Sequence, residues 1–112
     1  MRHEDSIRVR HMIEVAQTAL GFISGRQAAD LDSDRMLLFA LMRAIEVIGE
    51  AASKVSEEVR RSSPEIPWSL IVSMRNRLIH AYYDIDREIL WKTVTSELPA
   101  LLPRLQALSK SE

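Results

Sequence analysis

Residues 37–55, LLFALMRAIEVIGEAASKV, decide the fold. At the 3.6-residue helical period, Leu38, Leu41, Ile45, Ile48, Ala52 and Val55 form one apolar seam, and Leu37, Ala40, Ala44, Val47 and Ala51 form a second. A helix that is apolar on more than one side must bury more than one side. The core of a small bundle covers one seam. A second subunit is the natural cover for the other, which predicts a homodimer; the alternative is a wide stripe enclosed by the chain's own helices. This helix is expected to start at the cap candidates Asp30, Asp32, Ser33 and Asp34 and to run, with Gly49 its single breaker, to about Glu58.

Upstream, Val9, Met12, Ile13, Ala16, Ala19, Leu20 and Ile23 make an amphipathic stripe that predicts a helix from about Ser6 to Ser24, capped by Asp5 or Ser6 and ended by Gly25. Downstream, the polar stretch Arg60 to Pro67 reads as a loop, because it holds two prolines and two serines. A third helix is expected from Trp68 to about Tyr82, with Leu70, Ile71, Met74 and Leu78 as its core stripe. After Asp84-Ile85-Asp86 a fourth helix should turn Ile89, Leu90, Val94 and Leu98 inward, with Pro99 either kinking it or opening a short final helix. No internal repeat and no alternating strand pattern stands out. The expected fold is all-α, an up-down bundle of four or five helices in one domain spanning residues 1–112.

Composition narrows the function. Hydrophobic residues are 46% and charged residues 28% of the 112, so the chain is apolar enough to fold, and its length suits one core. Cysteine is absent, which excludes disulfides, thiolate chemistry and cysteine-based zinc sites. The charged start Met-Arg-His-Glu-Asp lacks the apolar core of a signal peptide, and no run of about 18 apolar residues occurs; a cytoplasmic protein with no membrane segment is expected. The net charge of −1 would not draw a polyanion by itself. Nucleic-acid binding would depend on a local cluster, for which Arg60, Arg61, Arg75 and Arg77 are the candidates.

Chemistry concentrates between Arg75 and Tyr82. If the third helix runs on to Tyr82, then Arg75, Asn76, Ile79, His80, Tyr82 and Tyr83 share one arc of roughly 160° facing away from the core. Arginine can hold a phosphate bidentately, histidine can move protons near neutral pH, and asparagine can position either. No carboxylate cluster accompanies them in the sequence, which favours a metal-independent mechanism over a two-metal nuclease. Taken singly, each residue also has an ordinary reading: a solvated histidine, edge-packed tyrosines, a snorkelling arginine.

Arg75-Asn76-Arg77-Leu78-Ile79-His80-Ala81-Tyr82 matches the R-x4-H-x-Y signature of the HepT-like branch of the HEPN superfamily, and Tyr83-Asp84-Ile85-Asp86 often accompanies it. Glu46 to Ala52, Pro64 to Trp68, Trp91 and Leu98-Pro99 resemble further stretches of that family, in the same order. The resemblance covers most of the chain from about Asp32 to Leu102.

It implies a HEPN-like helical bundle acting as a metal-independent endoribonuclease, with no cofactor. Such proteins are toxins of toxin–antitoxin pairs, and the motifs of two subunits meet in a cleft across a homodimer. By motif position, Arg75 would contact the scissile phosphate of RNA. His80 would serve as general acid/base or orient the 2′-hydroxyl, giving a cyclic phosphate end. Asn76 is placed to orient His80 one turn later. Tyr82 would be the tyrosine to which an MntA-like nucleotidyltransferase antitoxin transfers AMP, an anionic adduct beside Arg75 that would repel RNA. Glu46 and Glu50, in a line with Arg43, are candidates for supporting the arginine or histidine; otherwise they form an intrahelical ion-pair strip. Trp68 and Trp91 read as core or interface residues. A different class remains open: a non-catalytic HEPN subunit that docks a nucleotidyltransferase.

Overall fold

The computed structural model describes residues 1–81 and 84–111. Four principal helical rods build the bundle: α1 (His3–Phe22), α3 (Arg35–Lys54), α5 (Trp68–Leu78), and a last continuous run of α6 (Arg87–Lys92), a π-helical turn (Thr93–Glu97) and α7 (Leu98–Lys110). Short helices α2 (Asp30–Ser33) and α4 (Glu57–Ser62) fill connections, and a two-stranded antiparallel hairpin, β1 (Ile79–Ala81) with β2 (Asp84–Ile85), follows α5. The all-α expectation holds, with this hairpin added.

The first seam of α3 is the spine of the core: Leu41, Ile45, Ile48 and Ala52 are fully buried against α1 and α5, and α1 in turn packs on α7. The second seam divides. Leu37 and Ala44 are buried within the chain, whereas Ala40, Val47 and Ala51 stay half-buried. The chain therefore covers part of that seam by itself. What it leaves open on α3 is a ridge that begins with Met36 and Phe39, 83% and 54% exposed, and continues into Arg43.

Several boundaries differ from expectation for identifiable reasons. The helix expected from the acidic run to Glu58 is three helices. Asp34 is extended and caps α3, its carboxylate accepting from the Leu37 N–H at 3.1 Å, so α2 ends before it. At the other end the extended Val55 stops α3, and Ser56 caps α4. Arg60 closes the last turn of α3 by donating to the Ala52 and Val55 carbonyls, a use of a cation at a helix C-terminus. Helix α1 starts at His3, so Asp5 is no cap. It is buried, and its two oxygens accept from the N–H and the hydroxyl of Ser56 at 2.8 and 2.7 Å. Burial works to raise the Asp5 carboxyl, but the Ser56 bonds, with Arg2 and Arg8 nearby, outweigh it and leave it below the ordinary value. The turn after α1 uses Gly25 at φ 74°, a backbone state that glycine enters without penalty.

Leu70 and Ile89 are not core residues: they are 55% and 36% exposed, and Ile71, Met74, Leu78, Leu90, Val94 and Leu98 carry the burial. Pro99 lies in the first turn of α7, the place expected of a proline that opens a final helix, and it does not interrupt the rod. The π turn precedes it, and the helix continues through it to Lys110. Trp68 is a core residue whose indole N–H donates to the Ser63 carbonyl, and Trp91 packs half-buried against the core.

Candidate active site

Helix α5 ends at Leu78, not at Tyr82. Beyond it the β-branched, half-buried Ile79 opens a strand, the setting that suits such a side chain. The return strand sets the register: Ile79 lies opposite Ile85, Ala81 opposite Asp84, and the Asp86 N–H donates to the Leu78 carbonyl at 2.7 Å. His80 is the extra residue between those two pairs, a bulge of the kind that re-aims a side chain. The continuous helical arc from Arg75 through His80 therefore does not exist. Tyr82, together with Tyr83, lies outside the described residues.

Arg75, on the last turn of α5, donates from Nε to Glu46 Oε2 at 2.9 Å across the α3–α5 crossing. The other oxygen of Glu46 accepts from Arg43 at 3.1 Å. Glu46 thus has both partners, one on its own helix and one on α5. The hydrogen bond from Arg75, then that from Arg43, holds its carboxyl below the usual glutamate value. Glu46, Glu50, Ser53, Val72, Arg75 and Asn76 line one open cleft between the helices. Gly49, buried in its floor, permits the crossing: a Cβ there would stand 3.3 Å from the Ile71 carbonyl oxygen and 3.5 Å from that of Val72.

His80 is not among the residues lining that cleft. Its Nε2 lies 3.2 Å from Asp86 Oδ2, while Asp86 Oδ1 accepts from the Ile89 N–H at 2.9 Å and caps α6. That backbone bond first, and the His80 contact after it, hold the Asp86 carboxyl below its ordinary value against a partial desolvation penalty. Asn76 is therefore not the partner of His80. The one-turn relation expected between them disappears when the helix stops at Leu78. Asp86 was missed in the sequence, although its position just before a helix and six residues after the histidine is a legible cap signal.

The arginines expected to form a basic patch are dispersed among intramolecular partners. Arg60 caps α3, Arg61 pairs with Glu57 at 2.7 Å, and Arg77 approaches Glu97 at 3.6 Å. Of the four, Arg75 alone lies in the cleft.

A helical bundle that anchors an arginine on the last turn of α5 and a carboxylate-held histidine just beyond that helix has the groups for phosphodiester chemistry, and the fold is HEPN-like. The chain belongs to the ribonuclease HepT-like family of the HEPN superfamily, whose profile matches residues 12–108. It is 42% identical over 81 residues to a Thermococcus cleftensis protein named "Probable ribonuclease HepT", covering 72% of this chain and 74% of that one. A protein of Caldanaerobacter subterraneus subsp. tengcongensis is 29% identical, with 93% of each chain covered, and one of Methanocaldococcus jannaschii is 33% identical, with 80% and 83% covered; each is named "Putative RNase". No solved structure gives a match. Among the described residues no helix is long and apolar enough to cross a membrane.

Proposed function

We propose that this protein is an endoribonuclease that cleaves RNA by 2′-hydroxyl attack without a metal ion, and that it is the toxin of a toxin–antitoxin pair. The observation that carries the reading is the Arg75–Glu46 contact. Among the described residues only Nε of Arg75 has a protein partner, so the terminal edge of a half-exposed guanidinium is presented for a phosphate. A fork aimed in this way suits the two non-bridging oxygens of a phosphodiester and the extra charge they gain in the transition state. In the reaction the 2′-oxygen bonds to the adjacent phosphorus as its proton passes to a base. The bond from phosphorus to the 5′-oxygen breaks, that oxygen is protonated, and a 2′,3′-cyclic phosphate and a 5′-hydroxyl result. His80 moves one of these protons, and Asn76, in the same cleft as Arg75, contacts the substrate backbone.

Activity is shut off when an MntA-like nucleotidyltransferase transfers AMP from ATP to the hydroxyl of Tyr82, two residues beyond His80 in the sequence, with release of pyrophosphate; the added anion would oppose binding of the RNA phosphates. The working form is a homodimer. The exposed Met36–Phe39 ridge of α3 runs directly into Arg43, whose partner Glu46 also holds Arg75, so a second subunit seated there would border the site.

The test is cleavage of total RNA in EDTA by protein shown by mass to be unmodified and dimeric. Arg75→Ala and His80→Ala should each lose about 10²–10⁴-fold in rate. Absence of cleavage by the wild type under those conditions would replace this reading with that of a non-catalytic subunit docking a nucleotidyltransferase.

A further inference from the structure

We propose that Asp86 is the positioning residue of this site: it keeps the proton of His80 on Nε2 and thereby presents Nδ1 as the nitrogen that meets the RNA 2′-hydroxyl. The identity of the substrate rests on the ribonuclease reading above; the assignment of the two ring nitrogens rests on geometry alone.

The carboxylate of Asp86 is oriented by the bonds its residue makes on either side. One oxygen is fixed by the Ile89 N–H at 2.9 Å as the cap of α6, and the Asp86 backbone N–H is fixed by the Leu78 carbonyl at 2.7 Å. The second oxygen then stands 3.2 Å from Nε2 of His80. An ionised carboxylate only accepts hydrogen bonds, so the nitrogen facing it must be the donor. A neutral imidazole has one N–H, and with that proton on Nε2 the lone pair sits on Nδ1. The side chains grade outward, Asp86 at 24% exposure and His80 at 57%, so the partner is the more enclosed of the two and the ring reaches towards solvent. The bulge matters here because His80 has no cross-strand partner among the described residues.

A plain capping role for Asp86 makes a different prediction, and two substitutions separate the alternatives. Asparagine caps helices as well as aspartate does. In Asp86→Asn the amide oxygen keeps the bond to Ile89, and the amide NH₂ replaces the oxygen that faced His80. That NH₂ can only donate, so Nε2 must accept and the proton moves to Nδ1. The cap survives and the base is lost. In Asp86→Ala the cap is lost, but the imidazole is released to adopt either tautomer. The proposal therefore orders cleavage as wild type above Asp86→Ala above Asp86→Asn, the last down about 10²-fold or more. Capping alone reverses the order of the two variants.

The deciding measurement is long-range ¹H–¹⁵N correlation of the His80 ring in the full chain, at a pH where the imidazole is neutral. Expected is a protonated Nε2 and an unprotonated Nδ1 in the wild type, and the reverse in Asp86→Asn. A wild-type proton on Nδ1, or the same tautomer in both proteins, overturns the proposal. The spectrum needs no substrate, so it reads the positioning even if no RNA is cut, an outcome that would sink the ribonuclease reading alone. Conversely, Asp86→Asn cleaving at the wild-type rate would overturn the positioning and leave the ribonuclease standing.

Discussion

Arg75 and His80 are separated by four residues in the chain, yet they are held by different kinds of structure. Arg75 sits on a helix whose inner face, Ile71 and Met74, is buried and whose backbone lies against Gly49 of α3. Its polar contact, a half-exposed ion pair with Glu46, is worth at most about 1 kcal/mol, so the helix crossing places this side chain and the ion pair only aims it. His80 sits beyond the helix, on a bulged strand, and depends on one hydrogen bond and on the anchoring of a short return strand. On the proposed reading, packing positions the half of the site that would hold phosphate, and a polar tether positions the half that would move protons. Each half should therefore fail in its own way.

The largest effect on turnover is expected from the hairpin. Ile85 is the buried residue of β2, directly opposite Ile79, and it fastens the hairpin to the core. Removing its branched side chain in Ile85→Ala should cost about 2 kcal/mol, the low end for a buried isoleucine because it lies at the rim. That corresponds to a fall in melting temperature of roughly 8 °C. In steady-state cleavage kcat should drop while KM changes little, since the arginine half is untouched. A raised KM with unchanged kcat would break the division drawn here.

Gly49→Val attacks the other half. The added Cβ must stand near 3.3 Å from the Ile71 carbonyl oxygen, which belongs to backbone and cannot rotate away. Forcing α3 and α5 apart should cost about 1–3 kcal/mol, offset by a few tenths from replacing a mid-helix glycine. Thermal melts measure the cost. RNA affinity should weaken while the His80 tautomer stays as in the wild type; a changed tautomer would mean that the two halves are coupled.

The same division explains what could be read in the sequence. The seam from Leu38 to Val55 and the stripes of α1 and α6–α7 follow a helical period because long rods bury one face each, and that much was legible. Arg75 and Glu46 were legible as members of a polar set, since each sits on a regular helix, α5 and α3. The His80 side was not, because a helical wheel assumes that the helix continues. The β-branched and aromatic run after Leu78 argued against that, but so short a run cannot show where the chain turns back. The Asp86 partnership depends on that turn. The second seam also misled in part: local pattern shows that a face is apolar, not which neighbour covers it.

The smallest effect should come from Glu46→Gln, and its sign is informative. The amide can still accept from Arg75 Nε, so stability should stay within about 0.5 kcal/mol of wild type. What changes is charge. Without a carboxylate facing it, the guanidinium is less firmly oriented, which lowers kcat several-fold, to about tenfold at most. If the cleft receives phosphate as proposed, removing one negative charge from it should lower KM at the same time. Acid offers a second way to neutralise the same group. The carboxyl of Glu46 lies below its ordinary value of 4.5, because Arg75 and then Arg43 donate to it. Its contribution to stability is therefore complete above the unfolded value and fades only as pH falls through the lower folded one. Between about pH 5 and 8 the Arg75–Glu46 contact should be constant, and the wild type and Glu46→Gln should keep a fixed ratio of rates across that window. A ratio that drifts there would show that Glu46 takes part in proton transfer itself and does more than aim the arginine.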